Sequence, residues 1–313
     1  MGDGPRWSTD SYVSTASLRA ASGASAFAYH DTVSKQVASD RKVHPSLDPK
    51  NIKNVRESRD SATCPESLAI IVGLDITGSM RDNPKVVQQK LPILMDGLVQ
   101  SGFVTDPHVM ISAFGDAYSD RAVLQTGQFE VGNEIENDVG NLWMEGGGGG
   151  SGEESAELLL WFAVHKTAID CVEKRNKKGY LFIISDEMAY RDIPKSVLEA
   201  VFGDNALEAT DTTLDEVLQL AKEKFNIFYV LPKDSAHFGD RQVHGFWKSR
   251  LGSNFVRLHN ISCVNELIVS IIAKQEGKDA QAISDWLEAV CSAEDATAIQ
   301  RVLTGLEAEA SVL

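Results

Sequence analysis

The chain has 313 residues, 43% hydrophobic and 24% charged, enough for one large domain or for one domain of about 200 residues with extensions. A formal net charge of −15 excludes sequence-independent nucleic-acid binding through a basic surface. No run approaches the roughly 18 apolar residues of a membrane span, and no basic-then-apolar leader opens the sequence, so a cytosolic protein without its own anchor is expected.

The charge is unevenly spread. Residues 1–60 hold nine Lys/Arg against seven Asp/Glu, net +2, whereas residues 61–313 hold 21 against 38, net −17. The body therefore favours cations or basic partner surfaces. Cys64, Cys171, Cys263 and Cys291 lie far apart with no CxxC pair, which predicts indifferent thiols in a reducing compartment. Met1-Gly2 invites a check for myristoylation, but Arg6 stands where that motif wants Ser or Thr.

Residues 1–66 are rich in Ser, Ala, Thr and Asp without an apolar period, and are expected to be an N-terminal arm, either a free tail or a segment ordered against its own body or a neighbour. A short helix is expected around Leu18 to Phe27. From Leu68 the pattern alternates. LAIIVGLDITGSM begins as a buried strand and ends on Asp75, Thr77 and Ser79. Pro84 then opens a helix whose stripe is Val86, Val87, Leu91, Leu94, Met95 and Leu98, and Pro92 inside it predicts a kink. Strands follow at His108–Phe114 and, edge-like, at Ala122–Phe129, with a helix over Val131–Leu142.

Five glycines, Gly146 to Gly150, precede a helix expected over Ser155–Lys174, apolar on much of its circumference and suited to packing deep against a sheet. A second fully apolar strand, Tyr180–Ser185, ends on Asp186 and Glu187. A helix over Leu214–Phe225, strands at Asn226–Leu231 and Phe255–Leu258, and a helix over Val264–Lys274 complete the alternation. Such alternation calls for a doubly wound α/β fold with a mostly parallel central sheet flanked by helices, here residues 67–278. Residues 279–313 read as a C-terminal helical appendix, with Ser284 and Ser292 as expected N-caps and Asp295 completing a variant capping box.

The candidate site lies where the strands end. Asp75, Thr77 and Ser79 occupy alternate positions past a strand's carboxyl end, so a carboxylate and two hydroxyls can converge in the crevice there. Hard oxygen ligands of this kind suit Mg²⁺, or Ca²⁺ or Mn²⁺, and give soft metals little to hold.

This D-x-T-x-S after a hydrophobic strand resembles the metal-ion-dependent adhesion site of von Willebrand factor A (vWA) domains, and the resemblance covers roughly residues 66–275. It implies that the Thr77 and Ser79 hydroxyls bind the metal directly, that Asp75 and Asp186 act largely through water, and that an acidic side chain from a protein partner completes the shell. The family's third loop carries a Thr after paired glycines. Here that loop has no Thr, and Ser151 is its closest equivalent by spacing, with Ser155 and Glu153 as alternatives. Asp116 and Asp120 are expected as loop acids on the same rim.

Other chemistries find little support. The glycine run lacks the Lys-Ser/Thr of a P-loop, there is no HExxH and no GxSxG, and His237 and His244 are expected on a surface loop or helix. Trp161 and Phe162 read as core. The first expectation is a non-catalytic, divalent-cation-dependent protein-binding module, for which the resemblance implies an AAA+ ATPase or the subunits of an assembly as partner. The alternatives are a structural component of a virion or other large particle, its arm tying neighbouring subunits, and a Mg²⁺-dependent phosphoesterase.

Overall fold

The computed structural model describes residues 5–148 and 150–310, with the side chains of residues 91–93 and 307–310 outside the described set. Met1 and Gly2, and the side chains of Leu91 and Pro92 on which part of the stripe and the kink rest, therefore lie outside the described residues.

The central sheet is built from Ser67–Asp75 (β1), Asp106–Phe114 (β2), Leu124–Thr126 (β3), Gly179–Ile184 (β4), Phe225–Pro232 (β5) and Phe255–Leu258 (β6), in the order β6-β5-β4-β1-β2-β3. Only β3 runs antiparallel to its neighbour, and the other pairs are parallel. The helices that cover it are Asn83–Gln100, Ala156–His165, Leu214–Lys224, Arg241–Leu251 and Val264–Gln275, followed by Ala280–Val290 and Ala293–Ala310. With Thr9–Ser22 in the arm as α1, these are α2 to α8 in chain order.

Strand alternation sorts the core into two layers. Leu68, Ile70, Val72 and Leu74 of β1 face α2, α6, α7 and α8, whereas Ala69 and Ile71 face α3, α4 and α5. All nine residues of β1 are buried, as the centre of a sheet covered on both faces requires. Gly73 interrupts the apolar run because a Cβ there would strike Leu159 of α3, so its bareness lets that helix ride directly on the strand. The fold is doubly wound α/β. The chain proceeds outward from β1 to β2 and β3, then crosses to place β4 on the other side of β1, which puts the topological switch point between β1 and β4.

Several elements depart from expectation. The helix after the glycines ends at His165, because Thr167–Ile169 is extended and pairs in parallel with Arg56–Ser58 of the arm. Lys224 Nζ closes that helix end, donating to the carbonyls of Ala163 (3.3 Å), Val164 (2.9 Å) and Thr167 (2.9 Å). In the arm, α1 starts at Thr9 and stops at Gly23, whose φ of 67° supplies the left-handed cap, and a separate helix spans Ala28–Val33. Only Ile135–Gly140 of the expected Val131–Leu142 is helical. Helix α7 is capped by Asp279, which leaves Ser284 inside it, whereas Ser292 does cap α8: its Oγ accepts from Asp295 N (3.1 Å) and donates to Asp295 Oδ2 (2.7 Å).

The arm is ordered against its own body. Trp7 is buried, its N–H donating to Val131 O (3.0 Å) and its indole to Asp96 Oδ1 (3.2 Å). Arg6 pairs with Asp106 (2.6 Å), Arg59 with Asp170 (2.7 Å) and Asp60 with Arg175 (2.5 Å). The two terminal helices pack Ile283, Leu287, Ile299 and Leu303 into the same apolar layer as α6. All four cysteines are free thiols, and among the described residues no helix is long and apolar enough to cross a membrane.

Candidate functional site at the carboxyl ends of the first and fourth strands

Four of the five residues singled out from the sequence meet at the switch point. Asp75 ends β1, and its Oδ1 accepts from Thr77 N (2.9 Å) and Thr77 Oγ1 (2.6 Å), the turn that redirects the chain out of the strand. Its Oδ2 accepts from Ser185 Oγ (2.6 Å) at the end of β4. Ser79 Oγ donates to Asp186 Oδ1 (2.7 Å), and the Thr77 and Ser79 hydroxyl oxygens lie 3.2 Å apart. Asp75 and Asp186 are fully buried and Thr77 nearly so. Burial, then the neighbouring charge of Asp186, pushes the Asp75 carboxyl up to about 7.

The hydroxyl geometry has a specific consequence. Each hydroxyl has one proton, and the 2.6 and 2.7 Å bonds commit both protons to carboxylates. The 3.2 Å contact between the two oxygens is therefore lone pair against lone pair. Cis ligands of an octahedral Mg²⁺ at 2.0–2.1 Å stand about 3 Å apart, so this spacing fits such an ion. Among the described residues no group of three or more His, Cys, Asp or Glu side chains is arranged to hold a metal. The donor set here is mixed, two hydroxyls with carboxylates behind them.

Ser151 sits elsewhere. It is exposed, donates to Glu153 O (3.1 Å) and lies 3.2 Å from Tyr190 Oη, which itself donates to Asp116 Oδ1 (3.0 Å). Ser155 Oγ is occupied by the N–H of Ala117 (2.9 Å), and Glu153 is half-exposed beside Ser151. The residue of this loop that reaches the crevice is Glu154, one position past the Glu153 that the sequence offered as an alternative. A two-residue strand, Glu153–Glu154, pairs with Met188–Ala189 and turns the second glutamate inward. Glu154 is 2% exposed, and its Oε2 has no hydrogen-bond partner. Burial, then the charges of Asp75 and Glu187, raises its pKa.

The glycine loop brings these parts together. Gly146, Gly148, Gly150 and Gly152 have φ of 72°, 121°, 69° and 78°, a left-handed run that other residues resist. Gly78 N donates to Gly147 O (2.8 Å), Gly146 N to Ile76 O (3.2 Å) and Gly148 N to Asp120 Oδ1 (2.8 Å). Gly148 lies between Thr77 and Glu154: a Cβ on it would come within 3.5 Å of Thr77 Cβ and 3.2 Å of Glu154 Oε1. Asp120 and Asp116 thus serve as loop anchors, Asp116 also accepting from Tyr118 N (2.9 Å) and Ser119 Oγ (2.7 Å).

The loop after β5 closes the other side. Ala236 N donates to Ser79 O (2.9 Å) and His237 N to Asp186 Oδ2 (2.9 Å), while His237 Nε2 lies 3.1 Å from Glu187 Oε1. Glu187 is fixed through its carbonyl, which accepts from Tyr229 Oη (2.8 Å) and Trp247 Nε1 (2.9 Å). His244 lies on α5 and reaches back to the far part of this loop, its Nε2 donating to Phe238 O (2.8 Å).

No family model matches the chain, and no curated protein matches it. Among solved structures it is similar to proximal thread matrix protein 1 from the mussel byssus, at 10% identity and a TM-score of 0.42 over 66% of this chain and 48% of that one. It is also similar to the pilus adhesin SpaC from Lactobacillus rhamnosus GG in its open conformation, at 9% identity and a TM-score of 0.46 over 74% of this chain and 31% of that one. A third is a von Willebrand factor type A structure from Catenulispora acidiphila, at 14% identity and a TM-score of 0.41 over 68% of this chain and 44% of that one. The chain spans less than half the length of each of these structures.

Proposed function

We propose that this chain is a von Willebrand factor A-like, non-catalytic protein-binding module that requires a divalent cation, with Mg²⁺ the first candidate and Ca²⁺ or Mn²⁺ the others. The observation that carries the reading is the pair of hydroxyl oxygens at 3.2 Å, Thr77 held against the buried Asp75 carboxylate and Ser79 against that of Asp186. Thr77 and Ser79 would hold the ion, Asp75 and Asp186 would orient those hydroxyls and balance its charge, and Glu154 would take the third-loop place for which Ser151 was the expectation. When bound, the ion supplies an electrophilic point for an acidic side chain of a protein partner. The chain's own part is to keep the hydroxyls turned toward one point and to hold the three loops at fixed spacing.

An AAA+ ATPase or a neighbouring subunit of an assembly is the proposed class of partner, in the cytoplasm or within a larger particle. Affinity capture with and without EDTA, comparing wild type with Asp75→Ala, tests the reading. A partner retained equally in all conditions overturns it.

A hydrolytic reading has one observation in its favour, His237 standing 3.1 Å from Glu187 beside Asp186. Mg²⁺-dependent phosphatase turnover that disappears in Asp186→Asn would replace the first reading with this one.

A further inference from the structure

On the sheet edge farthest from β3, a cavity of about 500 Å³ opens between α5, β6 and α8. Its basic groups come from all three elements: His244 and Lys248, one turn apart on α5, Arg257 and His259 at and beyond the end of β6, and Arg301 on α8. Among the described residues no Asp or Glu lines it, in a chain that has 45 acidic residues against 30 Lys/Arg. Among the described residues Lys248, Arg257 and Arg301 form no ion pair, although Arg250 of the same α5 is paired with Asp215 at 2.8 Å. Asp295 borders the small adjoining cleft, but its carboxylate is taken by Asn260 Nδ2 (3.1 Å) and Ser292 Oγ (2.7 Å).

One side chain organises this charge. The Arg257 guanidinium lies 4.1 Å over the Phe238 ring, His259 meets the same ring edge-on at 5.5 Å, and His244 Nε2 donates to the Phe238 carbonyl (2.8 Å). Three of the five basic groups are thus positioned from one residue, and His244 is further packed at 5.4 Å on Phe255. Lys248, Arg257, His259 and Arg301 are exposed around the opening, where a bound anion would meet positive charge.

We propose that this cavity binds a small molecule carrying two or more negative charges of the phosphate class. Arg forks match phosphate oxygens geometrically, the volume lies in the range of small-molecule sites, and the apolar floor of Phe255 and Val256 accommodates an organic body. Walls on three sides favour a compact ligand over an extended peptide. The site lies at the sheet edge and shares no lining residue with the carboxylate crevice, although Phe238 directly follows the His237 that closes that crevice.

The test is calorimetric titration of the full chain in EDTA with inorganic pyrophosphate, ATP and a Glu-rich peptide. Saturable binding of pyrophosphate or ATP is expected, weakened at least about tenfold in Arg257→Gln/Arg301→Gln and unchanged in Asp75→Ala. Gly305→Phe offers a second arm: no atom lies within 4 Å of a Cβ at Gly305, so the ring fills the cavity without removing a charge and should also weaken binding. Tighter binding of ATP identifies a nucleotide, and equal binding identifies the phosphate chain alone. Thermal unfolding confirms that each variant folds. Absence of saturable phosphate binding, equal affinity in the folded variants, or saturation by the acidic peptide alone overturns the proposal.

Discussion

The carboxyl ends of β1 and β4 and the beginning of β2 both bury polar side chains, under different conditions. In the crevice, Asp75 and Asp186 accept bonds from hydroxyls and backbone N–H groups supplied by three loops. In β2, His108 is fully buried with neither ring nitrogen hydrogen-bonded, and burial pushes its pKa down to about 4. The first arrangement is organised polarity, in which each group is aimed by a partner. The second is an unrelieved desolvation cost within a strand chosen for its apolar neighbours.

The contrast is sharpened by asking what each place does when its ligand, a metal ion or a proton, is changed. The largest effect is expected at the crevice. Mn²⁺ affinity should fall about 100-fold or more in Asp75→Ala, read by calorimetry, while a saturating ion at about 100 times its Kd should add about 2.7 kcal/mol of stability to wild type and at most about 0.4 kcal/mol to this variant. Unchanged affinity would break the comparison, reducing the crevice to a hydrogen-bonded loop junction.

His108 should give a comparable effect through protons. With a folded pKa of about 4 and an unfolded one near 6.5, the unfolded chain binds a proton that the folded chain refuses. Its contribution is complete above about pH 6.5 and is lost as pH falls toward 4, for a total of about 3 kcal/mol. Urea unfolding from about pH 7 down to about pH 4 should show that slope, and His108→Leu should flatten it.

Within the third loop, Glu154→Ala should lower Mn²⁺ affinity about tenfold while Ser151→Ala leaves it unchanged. The reverse ranking would return Ser151 to the site. The smallest effect belongs to Arg81, just past the Thr77–Ser79 turn, whose φ of 56° with ψ of −125° is a glycine-like conformation. Arg81→Gly should stabilise the chain by about 1 kcal/mol in chemical unfolding.

Much of the central sheet was legible because its signals are local. Runs such as Leu68–Val72 and Leu181–Ile184 are apolar at every position, which a strand covered on both faces needs, and the acids that follow them fall at the carboxyl edge by geometry alone. What stayed hidden depends on distant partners. Thr167–Ile169 is helical by continuation and extended only because Arg56–Ser58 lies beside it. His237 reaches Asp186 and Glu187 through a loop whose sequence resembles any polar turn. Glu154 was obscured differently: a SGEES segment offers two serines and two glutamates, and only its pairing with Met188–Ala189 decides which of them points inward.

The arm has a consequence in time. Its ties to the body span long stretches of chain: Arg59 to Asp170 is 111 residues and Asp60 to Arg175 is 115. During synthesis the arm is made first, but its partners emerge roughly 5–20 s later at ordinary elongation rates. For that interval Trp7, Val33 and Leu47, all buried in the finished fold, have nothing native to cover them. The arm is therefore made before the residues on which it docks, and its pairing with Thr167–Ile169 is among the later of those contacts to become available.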